Sequence, residues 1–190
     1  MKLAITGKGG VGKTTLAALL AQVYADAGRQ VLAVDADPSP CLAGALGFPD
    51  ALRANLHPIS EMDEELTYLN GGQFPLDPVQ KHTVLAPQVI EKVLKTDNII
   101  FFTNTDYFTP SDLQKAKSIG FKIFQIEINY QELVNRNAKR VKEENYQNLD
   151  IYLKDMLVYQ EDIKDKGLVD EVIDGTKPIS EIIDQLKKSF

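Results

Sequence analysis

Within this 190-residue chain, Gly7-Lys8-Gly9-Gly10-Val11-Gly12-Lys13-Thr14-Thr15 is the segment whose residue types and spacing bear most directly on chemistry. It fits G-x-x-x-x-G-K-[ST] and lies between a short apolar run, residues 2–6, and a helical pattern, residues 13–27. That is the strand-to-helix setting the pattern needs. The glycines let backbone N–H groups turn inward around phosphates. Lys13 brings a compact charge to the β- and γ-phosphates, the Thr14 hydroxyl is a ligand for Mg²⁺, and the following helix directs its positive end at the same anion. The implied ligand is a nucleoside triphosphate with Mg²⁺.

Two carboxylates and two guanidinium groups are the next candidates. Asp35 and Asp37 close and follow the apolar run 30–35 (QVLAVD), on a strand expected beside the phosphate loop, where α/β sheets bind ligands. Carboxylates in that crevice fit phosphoryl chemistry; the alternative is that both cap a turn before Pro38. Arg136 and Arg140 stand four apart in a helical pattern and so share one face. Their planar forks suit phosphate oxygens, and a solvated helix face is the alternative. Cys41 is the only cysteine, which excludes an intramolecular disulfide and a two-thiolate metal site within one chain. It is either one thiolate shared across a dimer or a small semi-buried thiol. His57 and His82 have no ligand spacing and read as surface or packing residues.

The elements that must position these groups follow from periodicity and punctuation. Apolar runs of strand length occur at 2–6, 30–35, 98–103 (NIIFFT), 121–128 (FKIFQIEI) and 168–173 (LVDEVI). Helical patterns separate them: 13–27, with Leu16, Leu19, Leu20 and Val23 on one stripe and Gly28 as its stop; 111–120; 130–144; and 150–166. A last helix follows Pro178, with Ile179, Ile182, Ile183 and Leu186 at helical spacing. The expected fold is α/β: a three-layer α/β/α P-loop NTPase domain on a mainly parallel sheet of about five strands. Phe101 and Phe102 read as buried strand core. Residues 50–81, broken by Pro58, Gly71-Gly72, Pro75 and Pro78, read as short helices and loops over the top of the sheet.

Composition narrows the function classes. With 44% apolar and 25% charged residues, the chain is long and apolar enough for one globular domain. A net charge of −6, from 21 Lys and Arg against 27 Asp and Glu, repels a nucleic-acid backbone. No run approaches the ~18 apolar residues of a membrane span, and the first apolar run is too short for a signal peptide. A cytoplasmic, reduced protein is the expectation.

The loop is more specific than the generic pattern, because Lys8 makes it GKGGVGKTT. This resembles the deviant phosphate loop of the MinD/ParA-type ATPases and the nitrogenase iron protein, whose extra lysine reaches a nucleotide across a dimer interface. The resemblance runs on through VLAVDADPSP and ALGFPDALRANLHPISEM, over residues 1–62. It is greatest to the ATPases that mature carbon monoxide dehydrogenase by nickel insertion. It implies ATP and Mg²⁺ as ligands, a homodimer formed on ATP binding, Asp35 and Asp37 at the γ-phosphate with one supporting the Mg²⁺ shell and the other positioning the attacking water, and a protein client the residues do not identify. The chain departs from that group in lacking its paired metal-binding cysteines.

From about residue 95 onward the resemblance changes. FKIFQIEI followed by ELVNRNAKR, and later DGTKPISEIIDQL, is similar to the adenylate-kinase group of P-loop phosphotransferases. That likeness implies that Arg136 and Arg140 contact ATP phosphates from lid-like helices over 130–166. It also implies that Gly175-Thr176-Lys177-Pro178 packs beside adenine. The acceptor-binding arginines of that group are missing: Thr103-Asn104-Thr105-Asp106-Tyr107 follows the third strand, and the chain holds only Arg29, Arg53, Arg136 and Arg140. The third strand also lacks a carboxylate directly at its end, leaving the second metal-shell role to Asp106 or Asp35. The expectation is one P-loop domain with a phosphate-loop half, 1–62, and a kinase-like half, 63–190, of natural or engineered origin. A nucleotide-driven ATPase switch, a small-molecule or nucleotide phosphotransferase, and a nucleotide-binding scaffold with little activity all remain open.

Overall fold

The computed structural model describes residues 1–7, 10–36, 41–57, 98–102, 109–145 and 147–188, and isolated positions between 58 and 97. Among these residues five strands alternate with helices: β1 (Lys2–Gly7), α1 (Lys13–Asp26), β2 (Leu32–Asp35), α2 (Leu42–Ala45), α3 (Asp50–Arg53), β3 (Ile99–Phe102), α4 (Pro110–Ser118), β4 (Phe121–Glu127), α5 (Tyr130–Glu144), α6 (Leu153–Asp165, entered through a 3₁₀ turn at Asp150–Tyr152), β5 (Glu171–Asp174) and α7 (Ile179–Lys188). All strand pairs are parallel, in the order β2-β3-β1-β4-β5. Half of residues 50–81, where short helices are expected, lie outside the described residues; α3 is one such helix.

Alternation along each strand makes the two apolar layers. Leu3, Ile5, Ile100, Phe124 and Ile126 pack with Leu16 and Leu20 of α1 and Ile182 and Leu186 of α7. Ala4, Ile99, Phe101, Phe121 and Ile123 face the other way, toward Leu113 and Ala116 of α4 and Ile163 of α6. Because both faces are covered, the strands read as continuous apolar runs. Phe101 is wholly buried, as strand core should be.

On α1, the buried stripe is Leu16, Ala17, Ala18, Leu20, Ala21 and Tyr24, with Leu19 and Val23 only half-buried. The alanines let the helix lie close to the sheet, which turns the expected leucine stripe partly outward. β5 starts three residues later than its apolar run, because Asp170 turns back to pair with β4: its N–H donates to Ile123 O, and its Oδ2 accepts from Ile123 N–H.

The connections run to opposite sides. The chain passes from β1 through α1 to β2, and from β3 through α4 to β4, with α1 and α4 on opposite faces. β1 and β3 are neighbours, so the strand order reverses between them, and a crevice opens at their carboxyl ends. The phosphate loop leaves β1 at that point.

Candidate functional site

The loop geometry follows from its glycines. Gly10 (φ 82°) and Gly12 (φ 102°) occupy the left-handed region, where a Cβ is strained. Gly12 is the N-cap of α1, no side chain caps the helix, and its first turn holds no acidic residue. By contrast α4 starts with a Thr109/Asp112 capping box, and α5 with Asn129 accepting from Glu132 N–H at 2.9 Å. The N-terminal end of α1 therefore keeps its positive field for a ligand. Lys13, only 4% exposed, and the buried Val11 line the same turn. Lys8 and Gly9 lie outside the described residues.

Behind the loop, Thr14 Oγ1 and Cys41 Sγ are 3.0 Å apart. Cys41 is exposed rather than semi-buried. Its N–H and that of Leu42 donate to Asp35 Oδ2 at 2.8 and 2.9 Å, so this carboxylate oxygen caps α2. Asp35, Cys41 and Thr14 thus form one chain of contacts reaching the first turn of α1. One expectation is corrected: β2 is not beside β1, because β3 lies between them. Asp35 therefore meets the first turn of α1 through Cys41 and not from an adjacent strand. Asp37 and Asp106 lie outside the described residues, as does His82, while His57 is exposed. Among the described residues, no group of three or more His, Cys, Asp or Glu could hold a metal ion.

From the opposite side, α5 brings its arginines to the loop. Arg136 Nη1 donates to Gly10 O at 3.5 Å, Nη2 to Gly175 O at 3.2 Å, and Nε to Glu132 Oε1 at 2.7 Å. Arg140, one turn further on, lies against Gly10, its Cδ and Nη1 3.9 Å from where a Cβ would stand. Gly175 is pinned in turn: its N–H donates to Glu127 O at 2.7 Å, and a Cβ there would lie 2.8 Å from the Ile126 and Ile128 methyls. The following turn is held by Asp174, whose Oδ1 accepts from Thr176 N–H at 2.9 Å and Thr176 Oγ1 at 2.6 Å. Those bonds, the hydroxyl's first, hold the Asp174 carboxyl below its usual pKa. Lys177 closes the turn, donating from its N–H to Asp174 O at 3.3 Å, and Pro178 O accepts the first bonds of α7.

Phosphate loop, arginine pair and Gly175–Pro178 loop, far apart in sequence, therefore meet in one place. Sequence reasoning did not anticipate two supporting contacts, that of Glu132 with Arg136 and that of Cys41 with Thr14. The first has a local signal, an acid four residues before Arg136; the second has none, since its partner Thr14 is 27 residues away.

The family model described as the CobQ/CobB/MinD/ParA nucleotide binding domain matches residues 2–190. The carbon monoxide dehydrogenase accessory protein CooC of Rhodospirillum rubrum is 42% identical over 89 residues, covering 47% of this chain and 33% of that protein. An uncharacterized ATP-binding protein of Methanocaldococcus jannaschii is 50% identical over 52 residues, 27% of this chain and 20% of that one. The matched stretch thus spans a third or less of either relative. In fold, the chain is similar to shikimate kinase from Aquifex aeolicus: TM-score 0.56 and 17% identity, over 100% of this chain and 95% of that one. No helix among the described residues is long and apolar enough to cross a membrane.

Proposed function

We propose, for a chain that belongs to the CobQ/CobB/MinD/ParA family of nucleotide-binding domains, that it binds ATP with Mg²⁺ in the crevice over β1 and hydrolyses it as a nucleotide-driven switch. The observation that carries this reading is the meeting at Gly10 of an uncapped helix N-terminus with guanidinium groups from α5 of the same chain. Phosphoryl transfer involves little covalent work by the protein; it needs positioned positive charge around the transferred group. The N–H groups at the start of α1 and Lys13 receive the β- and γ-phosphates. Arg140 adds a guanidinium from the α5 side, and Arg136 ties the loop to Gly175. The Thr14 hydroxyl, in the first turn of α1, would hold Mg²⁺, which when bound neutralises charge on the β- and γ-oxygens. Asp35, whose Oδ2 accepts from the Cys41 and Leu42 N–H groups, supports that shell, and Asp37 positions the water. Gly175-Thr176-Lys177-Pro178 lies beside the base. Lys8 reaches the nucleotide of a second copy, which makes the ATP-bound form a homodimer; ATP and ADP are the switching ligands, and no nucleic acid is involved.

Phosphate transfer to a small molecule is the second reading. It is favoured by the arginine pair, which already faces the loop within one chain, and by the division into a phosphate-loop half, 1–62, and a kinase-like half, 63–190. A turnover assay with and without a panel of nucleosides, monophosphates and small metabolites separates the two. Phosphate release independent of any acceptor supports the switch; ADP formation that requires an acceptor overturns it in favour of the kinase. Nucleotide binding with no turnover in either arm overturns both.

A further inference from the structure

Two buried amides, one on β4 and one on α6, belong to none of the groups above. Gln125 on β4 is 0% exposed and Gln160 on α6 is 3% exposed. Gln125 Nε2 donates to Glu127 Oε1 at 2.5 Å. A carboxylate only accepts, so this bond fixes which way the Gln125 amide faces. Its Oε1 is left buried without a partner, and so is Gln160 Nε2.

Strand alternation and helical spacing place the two on facing sides of the packing between β4 and α6. Strand alternation puts Gln125 and Glu127 on the sheet face that holds Ile123, the face that receives Ile163 of α6. Lys164 Nζ reaches the same Glu127 Oε1 at 2.9 Å, and Gln160 stands one helical turn before Lys164. One buried acceptor and one buried donor therefore flank a single ion pair. Each is costly if left unmade.

We propose that the Gln125 and Gln160 amides form an internal site for one buried water molecule, donating to Gln125 Oε1 and accepting from Gln160 Nε2. The surroundings select a neutral hydroxyl-sized occupant: the Glu127 carboxylate disfavours an anion, and Lys164 with the Gln160 amide protons disfavours a cation. A buried water needs two to four polar partners. The amides supply two, and the buried Thr6, in register with Gln125 on β1, is the neighbour across the strand pair. Thr6 is the last residue before the phosphate loop, so the water fastens α6 to the sheet directly under that loop.

A double-substitution cycle with a high-resolution crystal structure of the full chain tests this. Met matches Gln in length and removes the hydrogen bonds. Gln125→Met and Gln160→Met should each lower the melting temperature by about 2–4 °C. The double variant should fall no further than either single one, because removing both partners removes the need for the water. Electron density should hold one water within hydrogen-bonding distance of both amides. Losses that simply add, or single variants that melt like the wild type, overturn the proposal. So does density in which the amides bond each other directly or the space between them is empty.

Discussion

Arg136 joins the two loops of the site, and the expected cost of Arg136→Ala can be built contact by contact. The i,i+4 pair with Glu132 is about one-third exposed at both ends, and such a pair contributes about 0.3–0.5 kcal/mol. The bond to Gly10 O, at 3.5 Å, is at the edge of hydrogen-bond geometry and adds little. The bond to Gly175 O at 3.2 Å is charge-assisted, which is worth about 1.5–3 kcal/mol when dry; partial exposure reduces it to about 1 kcal/mol. The total is about 1.5 kcal/mol, roughly 3–6 °C in melting temperature for a domain of this size. Differential scanning calorimetry of the nucleotide-free protein reads this directly. Arg136→Lys should recover part of the loss, since an ammonium keeps the charge but cannot fork to two carbonyls and a carboxylate. With ATP, the alanine variant should also gain less stabilisation than the wild type, because the Gly175 loop is no longer tied to the phosphate loop. A nucleotide-free melting temperature within a degree of wild type would refute the strap, and with it the idea that α5 holds the two loops in register.

Other perturbations test the remaining parts of the site. Lys13→Ala should weaken ATP by about 2–4 kcal/mol, roughly 30- to 1,000-fold, and AMP far less; equal losses in calorimetric titrations would remove Lys13 from the β- and γ-phosphates. Gly175→Ala forces a methyl against Ile126 and Ile128, and overpacking of that kind costs about 1–3 kcal/mol, so an unchanged melting temperature would show that the loop has room. The Asp174 carboxyl is depressed in the folded state, so its contribution is present above the unfolded pKa of about 3.9 and is lost as the pH falls through the folded value. The melting-temperature gap between wild type and Asp174→Asn should accordingly be full at neutral pH and shrink in acid, and a gap that widens in acid contradicts the assignment. Light scattering with a non-hydrolysable ATP analogue should report a dimer that Lys8→Ala abolishes and Arg140→Ala does not; a monomer at every concentration sinks the shared-site switch.

Local rules made much of this protein legible in one dimension. The phosphate loop is a contiguous word whose glycines, lysine and threonine have meaning without any partner. The helical runs show the 3.6-residue period that the backbone imposes, and the strands show as short continuous apolar runs. Helix α5 spans Tyr130–Glu144, the same residues its pattern marks, because Asn129 caps one end and Asn145, in the left-handed conformation, closes the other. The arginine pair was visible for the same reason: four residues is a distance that a helix converts into a shared face.

Strand order was not visible. Parallel strands buried on both faces are uniformly apolar, so nothing in 30–35 or 98–103 says which of them lies against β1, and only the packed crossovers decide that β3 does. The stripe of α1 falls on its alanines and not on Leu19 and Val23, because close approach to a sheet favours the smaller side chain, whereas hydrophobicity counts a leucine above an alanine. Cys41 meets Thr14 across 27 residues, and Arg136 meets Gly10 across 126. Contacts of that span have no periodic signature in the chain. They exist because the core fixes where each element ends, and the sequence by itself determined the elements and their chemistry while tertiary packing alone decided which of those groups face one another.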